Sequence, residues 1–285
     1  MTNEVFDKKW GDFMNMDIWN ELLLPSTTED AAWELFHENS KLGRYFAALS
    51  EEQVVQKTKE LHESLPYEGY PKVALPAPLA TPTSSLSETI LNRVSVRNFA
   101  PRSFSLEEIA TLLHYAYGTT RDNQGTNLPR PFRAVPSGGA LYPLEIYFHC
   151  VDVKGLVPGL YHYNAAGHHI RRLSEGDQRK TIAESLIQPE VALESSLMIF
   201  ITAMFERTVF KYGDRGYRFT FLEAGHVAQN MNLMVTALGL GCVNIGGFYD
   251  RDVDAYLGLD GIMHSTIYLM AIGEPTCSES IEGKA

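Results

Sequence analysis

The sequence predicts an α+β fold, a mostly antiparallel sheet with helices packed over it. Three observations carry this. Strand-like runs such as LEIYFHCVDV (Leu144–Val153) and SLMIFITAMF alternate only loosely with helical patterns. A hairpin, GLYHYNAAGHHIRRL, interrupts that alternation, with Asn164–Gly167 as its turn. One long apolar helical pattern, RFTFLEAGHVAQNMNLMVTALGLG, ends at glycines. Together they favour α+β over a parallel doubly wound sheet.

The elements follow in order. STTEDAAWELFHENS opens with cap-type residues Ser26–Thr28, then spaces Ala32, Trp33, Leu35 and Phe36 helically. SEEQVVQKTKELHES starts a surface helix at Ser50. The stretch from Tyr67 to Ser85 carries several prolines and reads as an extended linker or wrapping arm. LSETILNRVSVRNF is helical and then irregular, and SLEEIATLLHYAYG has a capping box, Ser105 with Glu108, and a stop at Gly118. DQRKTIAESLIQ and RDVDAYLGL read as short helices, CVNIGGF and STIYLMAIGEP as strands. FKYGDRGYRF (Phe210–Phe219) reads as a polar loop before the long helix.

Composition narrows the function. The 285 residues are 45% hydrophobic, enough for one large domain or two small ones. A net charge of -11 argues against nucleic acid as a partner. No apolar run reaches the roughly 18 residues a membrane span needs, and the acidic, aromatic start lacks signal-peptide order. Cys150, Cys242 and Cys277 lie far apart and read as reduced thiols. These features place the protein in the cytoplasm, away from membranes.

Three segments suit chemistry. In NRVSVRNF, Arg93, Ser95 and Arg97 alternate, so an extended chain points all three one way, toward an oxyanion such as phosphate or simply toward solvent. Pro136 and Pro143 bracket Ser137, Gly138, Gly139, Ala140 and Leu141, where glycines admit close backbone approach or a tight turn. Gly246 and Gly247 follow a strand. His162, His168 and His169 lack matching carboxylates, so no metal site is expected. His226 and Glu223, one turn apart, read as a hydrogen-bonded buried pair.

NRVSVRNFAP, SLEEIATLLHYAYG, RAVPSGGALYPLEIYF, LYHY, KYGDRGYRFTFLEAGHVAQNMNL, LGLG and GGF occur in that order. The series resembles the nitroreductase superfamily and, within it, the SagB/ThcOx-type FMN-dependent azoline dehydrogenases. The resemblance covers about Ser87 to Pro275. It implies residues 1–85 as a helical segment plus Pro-rich arm, and 86–285 as an FMN-binding domain that works as a homodimer. It implies FMN phosphate and ribityl contacts at Arg93, Ser95 and Arg97, flavin contacts at Pro136–Leu141, and backbone approach at Gly246 and Gly247. Lys211 and Tyr212 match the family's catalytic pair, Lys211 as general base. Arg215 and Arg218 tune Lys211 or hold the loop, and Gly213 and Gly216 bend it over the flavin. Relatives carry a basic residue after the last strand; here Glu274 and a distant Lys284 stand instead, so Arg133 is the candidate to assist.

The implied activity is oxidation of thiazoline or oxazoline rings in a ribosomal or carrier-bound peptide, with dioxygen as acceptor. A cyclodehydratase or synthetase is the implied partner. Two other readings stay open: an NAD(P)H-dependent nitroreductase or ene-type reductase, and a non-catalytic scaffold.

Overall fold

Alternate residues of the longest strands enter two different cores, and this organises the fold. The computed structural model describes residues 32–44, 49–79 and 84–276. The chain divides into two units, Met1–Arg44 and Tyr45–Ala285. The first contributes α1 (Ala32–Asn39), a helix with no buried residue; the expected cap at Ser26–Thr28 lies outside the described residues.

The second unit opens with α2 (Glu51–Glu60), capped by a Ser50–Gln53 box. The proline-rich arm follows and supplies β1 (Lys72–Ala74). Next come α3 (Leu86–Asn92), β2 (Phe99–Ala100) and α4 (Leu106–Tyr117), the last with the expected Ser105–Glu108 box. A small hairpin, β3 (Thr119–Arg121) and β4 (Phe132–Arg133), stands apart from the main sheet. After a single turn at Gly138–Ala140 come β5 (Leu144–Cys150), β6 (Gly159–Asn164) and β7 (His169–Glu175). The β6–β7 turn is closed by the Gly167 N–H donating to Asn164 Oδ1 at 2.8 Å. Then follow α5 (Arg179–Glu184), α6 (Pro189–Glu194), β8 (Leu197–Met204), α7 (Glu206–Tyr212), α8 (Asp214–Ala237), β9 (Gly241–Ile245), α9 (Asp250–Leu257) and β10 (His264–Pro275).

Eight strands form one sheet in the order β1-β7-β6-β5-β8-β10-β2, with β9 also on β10. Every ladder pairing is antiparallel. Ile146, Phe148, Ile199, Ile201, Met270 and Ile272 face one core, which α4 and α8 cover. Tyr147, Met198, Phe200, Leu269 and Ala271 face the other, which α5, α6 and α9 cover. A sheet buried on both faces needs continuous apolar runs rather than polar alternation, so β5 and β8 read as unbroken hydrophobic stretches. Among the described residues no helix is long and apolar enough to cross a membrane.

Three sequence expectations are corrected. FKYGDRGYRF is helical, not a loop: α7 ends at Tyr212 and α8 begins at Asp214. His162 does have a carboxylate, Glu145, bonded to its Nε2 at 2.6 Å. His226 is exposed, and its expected partner Glu223 is buried against other residues.

Candidate active site

Gly213, with φ 54 and ψ -144, separates α7 from α8 in a backbone region essentially reserved for glycine. Gly216 serves differently. A Cβ there would lie 2.8 Å from the Thr208 carbonyl carbon and oxygen, so its missing side chain lets the two helices touch. The chain therefore folds back sharply, leaving Lys211 and Tyr212 at the end of α7.

They reach the Ser137–Leu141 turn. A Cβ on Gly139 would sit 2.7 Å from Lys211 Nζ and 2.8 Å from the Tyr212 hydroxyl, while one on Gly138 would meet Phe219 at 3.2 Å. Two segments about seventy residues apart are thus brought together as expected. The ammonium of Lys211 lies 5.1 Å from the Tyr212 ring centroid, and Phe219 packs edge-on to that ring at 5.0 Å. The turn is unusual backbone: Gly139, Ala140 and Tyr142 have φ of 66, 53 and 49. Non-glycine residues in this region cost about 1–3 kcal/mol each and persist only where surroundings over-determine them. Within the turn, Ala140 and Leu141 point inward and are buried, whereas Pro136 is exposed.

Buried charges provide those surroundings. Arg207, one turn before Lys211 on α7, donates to Glu145 Oε1 at 2.6 Å and to the Tyr142 carbonyl at 3.3 Å. Glu145 also accepts from the Leu65 N–H at 3.1 Å and the Ser64 hydroxyl at 3.2 Å, tying the segment between α2 and the arm to α7. Burial works against the charge on Glu145, but Arg207, His162 and Arg133 outweigh it and hold the carboxyl well below the usual range. On the other side, Glu223 of α8 accepts from the Tyr117 hydroxyl at 2.8 Å. Burial pushes Glu223 up to about 7, against the pull of the nearby Ser137 and Tyr117 hydroxyls and the Arg133 and Arg207 charges.

Arg133 is committed to this assembly. It is 5% exposed, donates to the Glu63 carbonyl at 2.9 Å, and lies 4.4 and 4.9 Å from the Tyr117 and Tyr142 ring centroids. Arg215 and Arg218 are half-buried on the first turns of α8.

Arg93, Ser95 and Arg97 lie elsewhere. The segment runs extended beside β9, Ser95 bridging Cys242 and Val96 donating to the Cys242 carbonyl at 2.9 Å. Val96 turns into the core, Ser95 and Arg97 are exposed and Arg93 is half-exposed, but Val94 is exposed as well. β9 leads to Gly246, where an added Cβ would meet nothing within 4 Å, and Gly247, where one would meet Ile187 at 3.1 Å. Gly247 is therefore accounted for by packing. Asn244, between them and Cys242, has a buried Oδ1 without a hydrogen-bond partner. Sequence reading missed Asn244, because nothing local marks an unsatisfied amide.

The family decides the class of chemistry. The nitroreductase family model matches residues 90–274. The chain belongs to the nitroreductase family. It is 37% identical to a nitroreductase-type protein of Methanocaldococcus jannaschii, over 66% of this chain and 90% of that one. It is 32% identical to the trifolitoxin-processing protein TfxB of Rhizobium leguminosarum, over 59% of this chain and 46% of TfxB. With the microcin B17-processing protein McbC of Escherichia coli the identity is 29%, over 57% of this chain and 60% of McbC. The matched region thus spans about half of TfxB and three-fifths of McbC. Among solved structures, a nitroreductase-type protein of Anabaena variabilis shares the fold at TM-score 0.61 and 23% identity, covering 81% of this chain and 49% of that one. The Escherichia coli McbBCD microcin synthetase complex matches at TM-score 0.56 and 22% identity, covering 85% and 91%. These comparisons bear out the resemblance read from the motifs, and the family's members are generally flavin oxidoreductases.

Proposed function

We propose that the protein is an FMN-dependent dehydrogenase that oxidises thiazoline or oxazoline rings to thiazoles or oxazoles in a peptide natural product. The convergence of Lys211 and Tyr212 on Gly139 carries this reading. It puts an amine and a phenol beside a bare backbone turn, where a flat ring can approach.

The residues fit FMN. Arg93, Ser95 and Arg97 offer two guanidiniums and a hydroxyl on one side, matched to phosphate and ribityl. Gly246 leaves open backbone, and the unsatisfied Asn244 oxygen suits a ring N–H. When bound, FMN supplies a two-electron acceptor, with dioxygen as the terminal acceptor.

Aromatising an azoline removes two electrons and two protons. Lys211 in its neutral form takes one ring proton at Nζ, and Tyr212 donates a hydrogen bond, not a proton, to the substrate heteroatom. Groups so placed contribute about 10²–10⁴-fold in rate. Arg207 fixes the α7 face that bears Lys211, four residues on.

The two halves of the site belong to two copies. Gly138 meets α8 at Phe219, and Cys242, beside the Arg93–Arg97 segment, meets it at Asn232, 3.1 Å away. Thirteen residues of helix separate these points by about 20 Å, which favours a homodimer in which each flavin is shared. Exposed apolar residues on the same helices, Leu86, Ile90 and Leu91 on α3 and Tyr217, Phe221 and Leu222 on α8, supply a face for it. The peptide substrate and a cyclodehydratase-type partner are proposed from the likeness to McbC and the synthetase complex.

The test is mass spectrometry of a thiazoline peptide incubated with the FMN-loaded protein, expecting loss of two hydrogens. Lys211→Ala that keeps its flavin but loses turnover supports the assignment; unchanged turnover overturns it. The M. jannaschii relative, a nitroreductase-type protein, favours a second reading, a nitroreductase, for which NAD(P)H would be the electron donor. Rapid flavin bleaching on anaerobic mixing with NADPH would establish it instead.

A further inference from the structure

The Ser137–Tyr142 turn has φ of 66, 53 and 49 at Gly139, Ala140 and Tyr142, and backbone of this kind is kept only by an outside anchor. Two successive carbonyls at its end are held by buried guanidiniums. The Tyr142 carbonyl accepts from Arg207 Nη1 at 3.3 Å. The Leu141 carbonyl accepts from Nη1 of Arg130, in the loop between β3 and β4. Arg130 has no part in the chemistry above and is 3% exposed.

The other arm of the Arg130 fork points away from the turn. Its Nη2 donates to the carbonyls of Thr58, Leu61 and His62, at 3.2, 3.0 and 3.3 Å. Thr58 lies in the last turn of α2 and Leu61 is its C-cap, where carbonyls lack partners within the helix and the dipole favours a cation. Burial and the charges of Arg207 and Arg133 draw the pKa of Arg130 down to about 10, so it keeps its charge at neutral pH. α2 is in turn bound to α7: Lys57 Nζ lies 3.3 Å from Glu206 Oε1, at the start of that helix.

We propose that Arg130 is a positioning residue: it pins the Gly138–Gly139 turn to the end of α2 and so fixes where that turn meets Lys211 and Tyr212. A guanidinium can do this because its donors stand in a rigid fork, one nitrogen toward the turn and the other toward the helix. A lysine at 130 keeps the charge but is a single point, and its ammonium serves one side or the other. The consequence reaches beyond the arginine. α2 becomes part of the frame of the site, and loosening that helix from its solvent face loosens the turn. The positioning role deepens the reading of Lys211 and Tyr212 as the reacting pair and rests on it; the anchor itself does not.

The test is hydrogen–deuterium exchange, on flavin-free and FMN-supplemented protein, of the Ala140 and Tyr142 amides. These donate within the turn to the Ser137 carbonyl and Oγ, at 3.1 and 2.9 Å. Their protection is taken relative to the Phe148 and Phe200 amides of β5 and β8, which follow global unfolding. In Arg130→Lys the relative protection falls about tenfold, the low end of what a hydrogen bond to a charged group is worth, and kcat falls with the KM for a thiazoline peptide unchanged. Gln56→Gly, exposed on α2, lowers protection about two- to fivefold, the cost of one glycine in a helix. Ala255→Gly, the same kind of change on the exposed side of α9, leaves it unchanged. Turn protection in Arg130→Lys that only follows the core strands overturns the proposal, as do glycine variants that behave alike. A loosened turn with unchanged kcat overturns the positioning role. Should Arg130→Lys not fold, the two glycine variants decide. Failure of the flavin reading shows separately, as wild-type protein that takes up no FMN and removes no hydrogens from the peptide, while the flavin-free exchange still decides the anchor.

Discussion

Gly139→Ala separates fold from function. The substitution puts an L side chain at φ 66, which costs about 1–2 kcal/mol. The new Cβ would then overlap Lys211 Nζ at 2.7 Å and the Tyr212 hydroxyl at 2.8 Å. Both atoms are the tips of flexible side chains, so they move aside at little cost to the fold. For a unit of this size the melting temperature falls by about 2–8 °C. Turnover suffers far more. Displacing the reacting groups by about 1 Å costs on the order of 10²-fold, and here both must move. Thermal unfolding of the purified protein is measured beside two-hydrogen loss from a thiazoline peptide, at matched flavin content. A Gly139→Ala protein that is close to wild type in turnover removes Lys211 and Tyr212 from the chemistry. One that unfolds outright shows that the turn, not the pair, is what Gly139 serves.

Other expectations concern the frame. Gly216→Ala pushes a Cβ into the Thr208 backbone at 2.8 Å, which cannot step aside, so stability falls by about 1–3 kcal/mol in urea denaturation; Gly225→Ala, with open space around it, instead gains about 0.5–1 kcal/mol. Arg207→Met leaves Glu145 buried and short of its main cation, and chemical unfolding should register a loss of about 3–5 kcal/mol, part of which Glu145→Gln restores. Glu223 titrates at about 7 in the fold against an ordinary 4.5; a raised pKa stabilises below the unfolded value and is lost as pH rises through the folded one. Wild-type stability relative to Glu223→Gln therefore declines by up to about 3 kcal/mol between about pH 4.5 and pH 7.5, and a flat difference curve contradicts the burial argument.

Much of the scaffold is legible because its causes are local. The Ser105–Glu108 box and the Asn164–Gly167 turn are short-range hydrogen-bond patterns, and the runs in β5 and β8 record burial on two faces. What escaped depends on long-range pairing. Glu145 finds His162 across two strands and Arg207 from a helix sixty-two residues on, and no spacing announces that. Spacing alone pairs Glu223 with His226, one turn apart, but only one side of α8 faces the core. Tyr117, more than a hundred residues upstream, claims Glu223.

The error over FKYGDRGYRF has the same origin and says most about the site. Charges and two glycines look like a loop, yet each glycine answers a separate need. Gly213 supplies a backbone conformation and Gly216 a missing side chain. Remove either function and the fold-back of α7 on α8 is strained. Lys211 shares a helix face with Arg207, which is fixed by Glu145, so its Nζ is aimed by a rigid element and not by a flexible loop. On the far side, the strained turn presents Gly139 where any larger residue would collide with that same Nζ. The glycines at 139, 213 and 216 thus serve one geometry. They clear space for, turn the chain toward, and close the helices behind a single lysine–tyrosine pair.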